Sequence, residues 1–161
     1  MKKLKLYLDT SVLNFLFAED APDFKNVTVD FFENYVAKGK YDVYISDVVI
    51  REIEKAPDAS KRNLLLDTAK KYSLRILLLT PEAIELSERY LAERIIPPKK
   101  REDAQHIAIS VCNQIDVLVS WNFKHLANIQ KQLAVKIVNE QQGYYYPLVL
   151  TNPMEVLYEN N

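Results

Sequence analysis

KLKLYLDTSVL, residues 3–13, is a short apolar run that stops at an acid. Residues 4–8 (LKLYL) carry strand formers in weak alternation, the pattern of a buried strand. Asp9 ends the run, and Thr10 and Ser11 follow at once. Two readings of Asp9 are open. It caps the helix that follows, since an aspartate there accepts bonds from free N–H groups. Or it faces a crevice where something positive binds. The rest of the chain bears on the choice.

Residues 11–18 read as a short helix, and Asn26 or Thr28 caps another that runs to about Lys38. Gly39 ends it, where a left-handed residue is wanted. Residues 41–46 (YDVYIS) alternate as a second strand, and Ser46 or Asp47 caps a helix to about Lys55. A helix over 59–72 and an apolar strand over 74–79 follow. Thr80-Pro81-Glu82 starts a helix to about Ile96, which Pro97-Pro98 stops. Ala104, Ile107, Ala108 and Val111 mark one face of a helix over 103–114. Residues 116–120 (DVLVS) read as a fourth strand, 123–131 as a short helix and 135–139 (VKIVN) as a fifth strand. The segment YYYPLVLTNPMEVL supplies an edge strand and a last helical turn. Strands alternating with helices predict an α/β fold with a central, mainly parallel sheet covered on both faces. Such sheets bind ligands beyond the carboxyl ends of their strands. Asp9, Ser46-Asp47 and Ser120-Trp121-Asn122 all fall at such ends.

The length of 161 residues fits one domain, 1–161. A net charge of −1 argues against a protein that coats nucleic acid through a broad basic field. With Cys112 as the one cysteine, neither an intrachain disulfide nor a cysteine-based zinc site forms. Two glycines, Gly39 and Gly143, are too few for a dinucleotide fingerprint or a phosphate loop. No apolar run reaches the ~18 residues of a membrane span, and no signal-peptide core opens the chain. A cytoplasmic location is expected.

Four positions converge on the same sheet edge. Asp9 ends the first strand, Glu52 lies on the helix after the second, Asp103 opens the helix before the fourth, and Asn122 follows the fourth. Carboxylates brought together from distant sequence repel unless a cation compensates. Mg²⁺ or Mn²⁺ suits oxygen ligands and keeps several waters. Each residue also has a plainer role: Glu52 on a solvated helix face, Asp103 favouring the positive end of its helix.

The segments LYLDTSVLN (6–14), YISDVVIREI (44–53), REDAQHIAIS (101–110) and DVLVSWNFKHLAN (116–128) together resemble the PIN-domain nucleases, and within them the VapC-type toxins of toxin–antitoxin pairs. The resemblance spans most of the chain. It implies a PIN-like, Rossmann-like α/β/α sandwich and metal-dependent cleavage of RNA. Carried over by position, Asp9, Glu52 and Asp103 are the metal-binding acids. Asn122 stands where the family has a fourth acid, which weakens the binding of a second metal. Thr10, Ser11 and Ser120 are the supporting hydroxyls. The resemblance also implies an antitoxin partner and a homodimer.

Lys99, Lys100 and Arg101 beside Asp103, and Trp121 and Lys124 beside Asn122, are candidate RNA contacts. The bland alternatives are a solvated loop and an aromatic wedge against the core. His106 and His125 suit structural hydrogen bonds better than proton transfer. An alternative function is a PIN-like module that binds RNA or protein without cleaving. An aspartyl-phosphate enzyme would want a second acid two residues after Asp9, where Ser11 stands.

Overall fold

The computed structural model describes residues 2–158. Five parallel strands form one sheet: β1 (Lys5–Leu8), β2 (Asp42–Ser46), β3 (Arg75–Leu77), β4 (Val117–Val119) and β5 (Val149–Thr151), in the order β3-β2-β1-β4-β5. A central parallel strand is covered on both faces. Leu6, Tyr7 and Leu8 of β1 are accordingly fully buried. Leu6 pairs with Val43 on one side and Val117 on the other.

The chain steps outward from β1 to β2 and β3, then returns to lay β4 and β5 on the other side. The direction of winding reverses between β1 and β4. Loops leaving their carboxyl ends therefore diverge and open a crevice. The N–H of Asp9 donates to the carbonyl of Val119 at 3.3 Å, so the two strand tips stay locked together at the mouth of that crevice.

Seven α-helices connect the strands among the described residues: α1 (Thr10–Phe15), α2 (Pro22–Phe31), α3 (Asp47–Glu54), α4 (Ala59–Lys71), α5 (Pro81–Ala92), α6 (Arg101–Cys112) and α7 (Ile129–Gln141). Ser46 caps α3, accepting from Val48 and Val49 N–H, and Thr80 caps α5 through Ala83 N–H. Gly39 takes the left-handed φ of +65° after the turn that extends α2.

Several expected elements differ. The segment VKIVN over 135–139 is not a strand but lies inside α7. Asn128 caps that helix through Gln130 and Lys131 N–H, and Val135, Val138 and Asn139 share its buried face at helical spacing. Five residues of chance alternation mimicked a strand. The fifth strand is Val149–Thr151, from the segment expected at the edge. Residues 123–126 are turns, so the short helix expected over 123–131 is absent as such, and its last residues, 129–131, open α7. Helix α2 begins at Pro22, ahead of both expected caps. Thr28 is instead buried within it. The third strand shrinks to three residues, and Ile76 and Leu78 are exposed because β3 is an edge. Among the described residues, no helix is long and apolar enough to cross a membrane.

Candidate active site

Asp9 is the residue before α1, in the cap position, yet its side chain makes no capping bond. The residue is only 4% exposed, and both carboxylate oxygens meet hydroxyls. Ser11 Oγ donates to Oδ1 at 2.5 Å and Ser120 Oγ donates to Oδ2 at 2.7 Å. The two serines are themselves held, since Ser11 Oγ accepts from Trp121 N–H and Ser120 Oγ from Asn122 N–H, both at 2.9 Å. Each hydroxyl proton is thereby aimed at Asp9. The helix-cap reading of Asp9 fails, since both carboxylate oxygens are taken by serines rather than by helix N–H groups.

Glu52 reaches the crevice from α3. It accepts from Thr10 Oγ1 at 3.1 Å and from His106 Nε2 at 2.7 Å. Asp103 reaches it from the first turn of α6, where Asn122 Nδ2 donates to Oδ2 at 3.2 Å. The Asn122 carbonyl oxygen is turned away and accepts from His125 N–H at 3.1 Å. Asn122 therefore meets the acids as a donor through its amide nitrogen, and its carbonyl is engaged in its own turn.

The electrostatics bind these groups into one site. Burial lifts Asp9 above the usual carboxylate value, against the pull of His106 and the two serine hydroxyls, and Glu52 pushes it the same way as burial. Asp103 is raised to about 6, by burial first and then by repulsion from Asp9 and Glu52. Burial would raise Glu52 too, but the hydrogen bond and charge of His106 bring it below the usual value. Burial opposes a charge on His106, yet Glu52, Asp9 and Asp103 raise its pKa. Three carboxylates thus feel one another across a crevice that already carries a buried imidazole.

All ligand atoms the acids offer are oxygens, which suits a hard divalent cation. Among the described residues, however, no three His, Cys, Asp or Glu side chains are gathered closely enough to hold a metal together. Each acid is held by its own partners: Asp9 by serines, Glu52 by His106 and Thr10, Asp103 by Asn122. Mg²⁺ keeps most of its waters and needs only one or two carboxylates. In chemistry, though not as a closed group of three ligands, the carboxylate oxygens of Asp9, Glu52 and Asp103 suit such an ion.

Comparisons with known proteins bear on this arrangement. No protein-family model matches the sequence, and no curated protein matches it. Solved structures do. A chain from the crystal structure of VapBC2 from Rickettsia felis bound to a DNA fragment from their promoter aligns with a TM-score of 0.57 at 15% identity, over 92% of this chain and 98% of that one. VapC20 from Mycobacterium tuberculosis, a toxin that cleaves the sarcin–ricin loop, aligns with a TM-score of 0.57 at 17% identity, over 74% of this chain and 92% of that one. The chain has a PIN-like fold.

The PIN-like sheet separates the candidate RNA contacts into two groups. Lys99, Lys100 and Lys124 are exposed and have no acidic partner among the described residues. Lys100 lies near enough to Asp103 to lower its pKa, and all three lower that of His125, behind its burial. They form a basic rim around His125, and Lys100 carries it to the acids. Arg101 is exposed too, but its guanidinium is paired with Glu88 on α5. Trp121 is no stacking platform. It is 5% exposed, its Nε1 donates to Thr28 Oγ1 at 2.9 Å, and Phe15, Phe24 and Phe123 surround it. A large aromatic gains more from burial than from display at a rim.

Tyr7 is the site-adjacent residue that sequence reasoning passed over. Its hydroxyl, buried with the rest of β1, touches His106 Nδ1 and Ser46 Oγ, each at 2.6 Å. The available signal was a tyrosine in a strand expected to be buried, since such a hydroxyl demands a partner.

The Asp103 shift carries a prediction for the metal-free protein. A carboxyl with a raised folded pKa holds its proton longer in the folded state. Its charge therefore costs stability as pH rises from about 4 to about 6, and the cost stays constant above. Asp103→Asn is expected to gain on wild type across that window, by on the order of 1–2 kcal/mol after allowance for its partial exposure. Urea unfolding at pH 4, 5, 6 and 7 without metal measures it. A difference independent of pH would mean that Asp103 is not under strain.

Proposed function

We propose that this chain is a metal-dependent endoribonuclease, the toxin of a toxin–antitoxin pair. The observation that carries the reading is that Asp9, at the reversal point of a PIN-like sheet, and Asp103, on α6, are joined through Ser120 and Asn122 of one strand tip. Its structural neighbours, a chain of a VapBC complex and a sarcin–ricin-loop-cleaving toxin, support the same class.

Asp9, Glu52 and Asp103 are the residues that would hold Mg²⁺ or Mn²⁺. The ion supplies charge stabilisation for a phosphodiester and lowers the pKa of water near neutral pH. The protein supplies position. Ser11 and Ser120 fix Asp9, His106 and Thr10 fix Glu52, and the Asn122 amide holds Asp103. Lys99, Lys100 and Lys124 hold backbone phosphates of a single strand alongside the acids.

An antitoxin has a suitable seat in the groove of about 700 Å³ between the α1–α2 segment and α4. Phe17, Phe24 and Leu64 stand partly exposed in its wall, where an apolar segment of a partner would cover them. The expected homodimer belongs to the same proposal, as does action in the cytoplasm.

The test is cleavage of a labelled single-stranded RNA with Mn²⁺ or Mg²⁺, with and without chelator, by wild type and Asp103→Asn. Cleavage that needs the ion and disappears in the variant supports the enzyme. Two observations favour a second reading, a binding module without cleavage: among the described residues no three potential ligands are gathered, and the Asn122 carbonyl is engaged by His125 N–H. RNA binding without cleavage in any divalent ion would select it.

The basic rim makes a separate prediction. Replacing Lys99, Lys100 and Lys124 by Ala weakens RNA binding and flattens its salt dependence by about 0.7 per lost phosphate contact. Affinity measured from low to moderate salt checks this. An unaltered slope would remove the lysines from the RNA path.

A further inference from the structure

The acids are not the most deeply buried polar groups of the site. Behind Glu52 runs a chain of short hydrogen bonds that enters the core. Glu52 Oε1 meets His106 Nε2 at 2.7 Å, His106 Nδ1 meets Tyr7 Oη at 2.6 Å, and Tyr7 Oη meets Ser46 Oγ at 2.6 Å. His106 is 1% exposed, and Tyr7 and Ser46 are 0% exposed. Ser46 closes the circuit, because its Oγ caps α3, the helix that carries Glu52.

Counting donors gives the chain a direction. A hydroxyl has one proton and two lone pairs. The lone pairs of Ser46 Oγ face the N–H groups of Val48 and Val49, at 3.2 and 3.4 Å. Its proton is left for Tyr7 Oη. Tyr7 then has its own proton to give, and the neighbour that can accept it is His106 Nδ1. In the neutral ring the remaining proton must sit on Nε2, where it points at Glu52. Every bond donates toward the carboxylate, and chains aligned in this way strengthen each member.

We propose that His106 is the positioning residue for Glu52, and that Tyr7 holds His106 in the Nε2–H tautomer that makes this possible. Glu52 has the longest side chain of the three acids. It is 30% exposed on its helix, whereas Asp9 is buried and Asp103, also on a helix, has one fewer rotatable bond. Thr10 alone, at 3.1 Å, does not fix a side chain with three rotatable bonds. The ring, wedged between β1 and α3 and bonded at both nitrogens, does. Partners of this kind behind a site acid change metal affinity or activity by 10–100-fold. The catalytic part of the inference rests on the nuclease reading above. The geometric part does not.

The experiment uses the full chain. Long-range ¹H–¹⁵N NMR of the imidazoles at pH 8 reads the His106 tautomer directly, with Tyr7→Phe and Tyr90→Phe in parallel. Tyr90 is a buried tyrosine whose hydroxyl bonds Asn139, away from the crevice, so its variant controls for lost stability alone. The expected wild-type and Tyr90→Phe spectra show Nε2–H for His106, and Tyr7→Phe shows a mixture of tautomers. A wild-type Nδ1–H form, a doubly protonated ring at pH 8, or an unmoved Tyr7→Phe signal overturns the positioning role.

Kinetics with Mn²⁺ then test its consequence. Tyr7→Phe is expected to lose about 10-fold or more in kcat with little change in KM, and His106→Gln, whose amide N–H still reaches Glu52, to retain more than His106→Leu. Equal losses in His106→Gln and His106→Leu would sink the positioning role. Should the wild type cleave no RNA at all, the nuclease reading falls while the tautomer result still decides the geometry.

Discussion

Asp9→Asn is expected to lower metal-dependent RNA cleavage by about 10³-fold or more, in a protein that stays folded. The size follows from the place of Asp9. It lies at the point where β1 and β4 part, and it is the acid that the tips of both strands serve. Ser11 and Ser120 each aim a proton at it, and the N–H groups of Trp121 and Asn122 hold those serines in turn. Such a shell leaves the residue no freedom to be replaced by a neighbour. The amide of asparagine keeps the shape but removes the negative charge that a divalent cation requires.

The fold should survive for an equally definite reason. Burial already raises the pKa of Asp9, so its charge does not stabilise the folded state. A serine hydroxyl can rotate to accept from the new NH₂ group, at a cost of about 1 kcal/mol, and relief of a buried charge offsets it. Circular dichroism and thermal melting of the variant, beside a cleavage assay with Mn²⁺, separate the two effects. Folded Asp9→Asn that cleaves at the wild-type rate would remove the active site from this crevice.

Trp121→Ala is expected to cost about 3–5 kcal/mol of stability. The indole fills the space between α1, α2 and the turn that carries Asn122. Phe24 lies 4.6 Å away between ring centroids, with Phe15 at 5.9 Å and Phe123 at 6.0 Å. Truncation leaves a cavity among rings that cannot collapse into it, and strands Thr28 Oγ1 without the indole N–H. At roughly 2–4 °C per kcal/mol for a chain of this size, the melting temperature falls by about 10 °C.

The milder Trp121→Phe loses the N–H bond and part of the volume. It should cost about 1–2 kcal/mol and leave RNA affinity unchanged, because the ring faces the core. Denaturant unfolding gives the first quantity and RNA titration the second. Weaker RNA binding at undiminished stability would return Trp121 to the substrate surface.

Legibility in the sequence follows the range of the forces involved. Where local rules act, the reading of the fold agrees with the structure. The β1 run, the Ser46 and Thr80 caps, the left-handed Gly39 and the alternation of strands with helices are all encoded within a few residues. The error at VKIVN arose where five residues satisfied both periods, and Asn128, seven residues upstream, decided for helix. The acids were legible as a group because each stands at the carboxyl end of a strand or on a helix bordering one.

What the sequence by itself determined is the layered parallel architecture and the set of residues that reach one edge of it. Backbone periodicity and capping chemistry are short-range, and they dictate both. Only the tertiary structure decided how those residues are used. It buried Trp121, paired Arg101 with Glu88, turned the Asn122 amide toward Asp103 and joined Tyr7 to His106 across 99 positions of chain. Hydrogen-bond direction and burial depend on which elements meet in space, and no local pattern along a strand or helix carries that information.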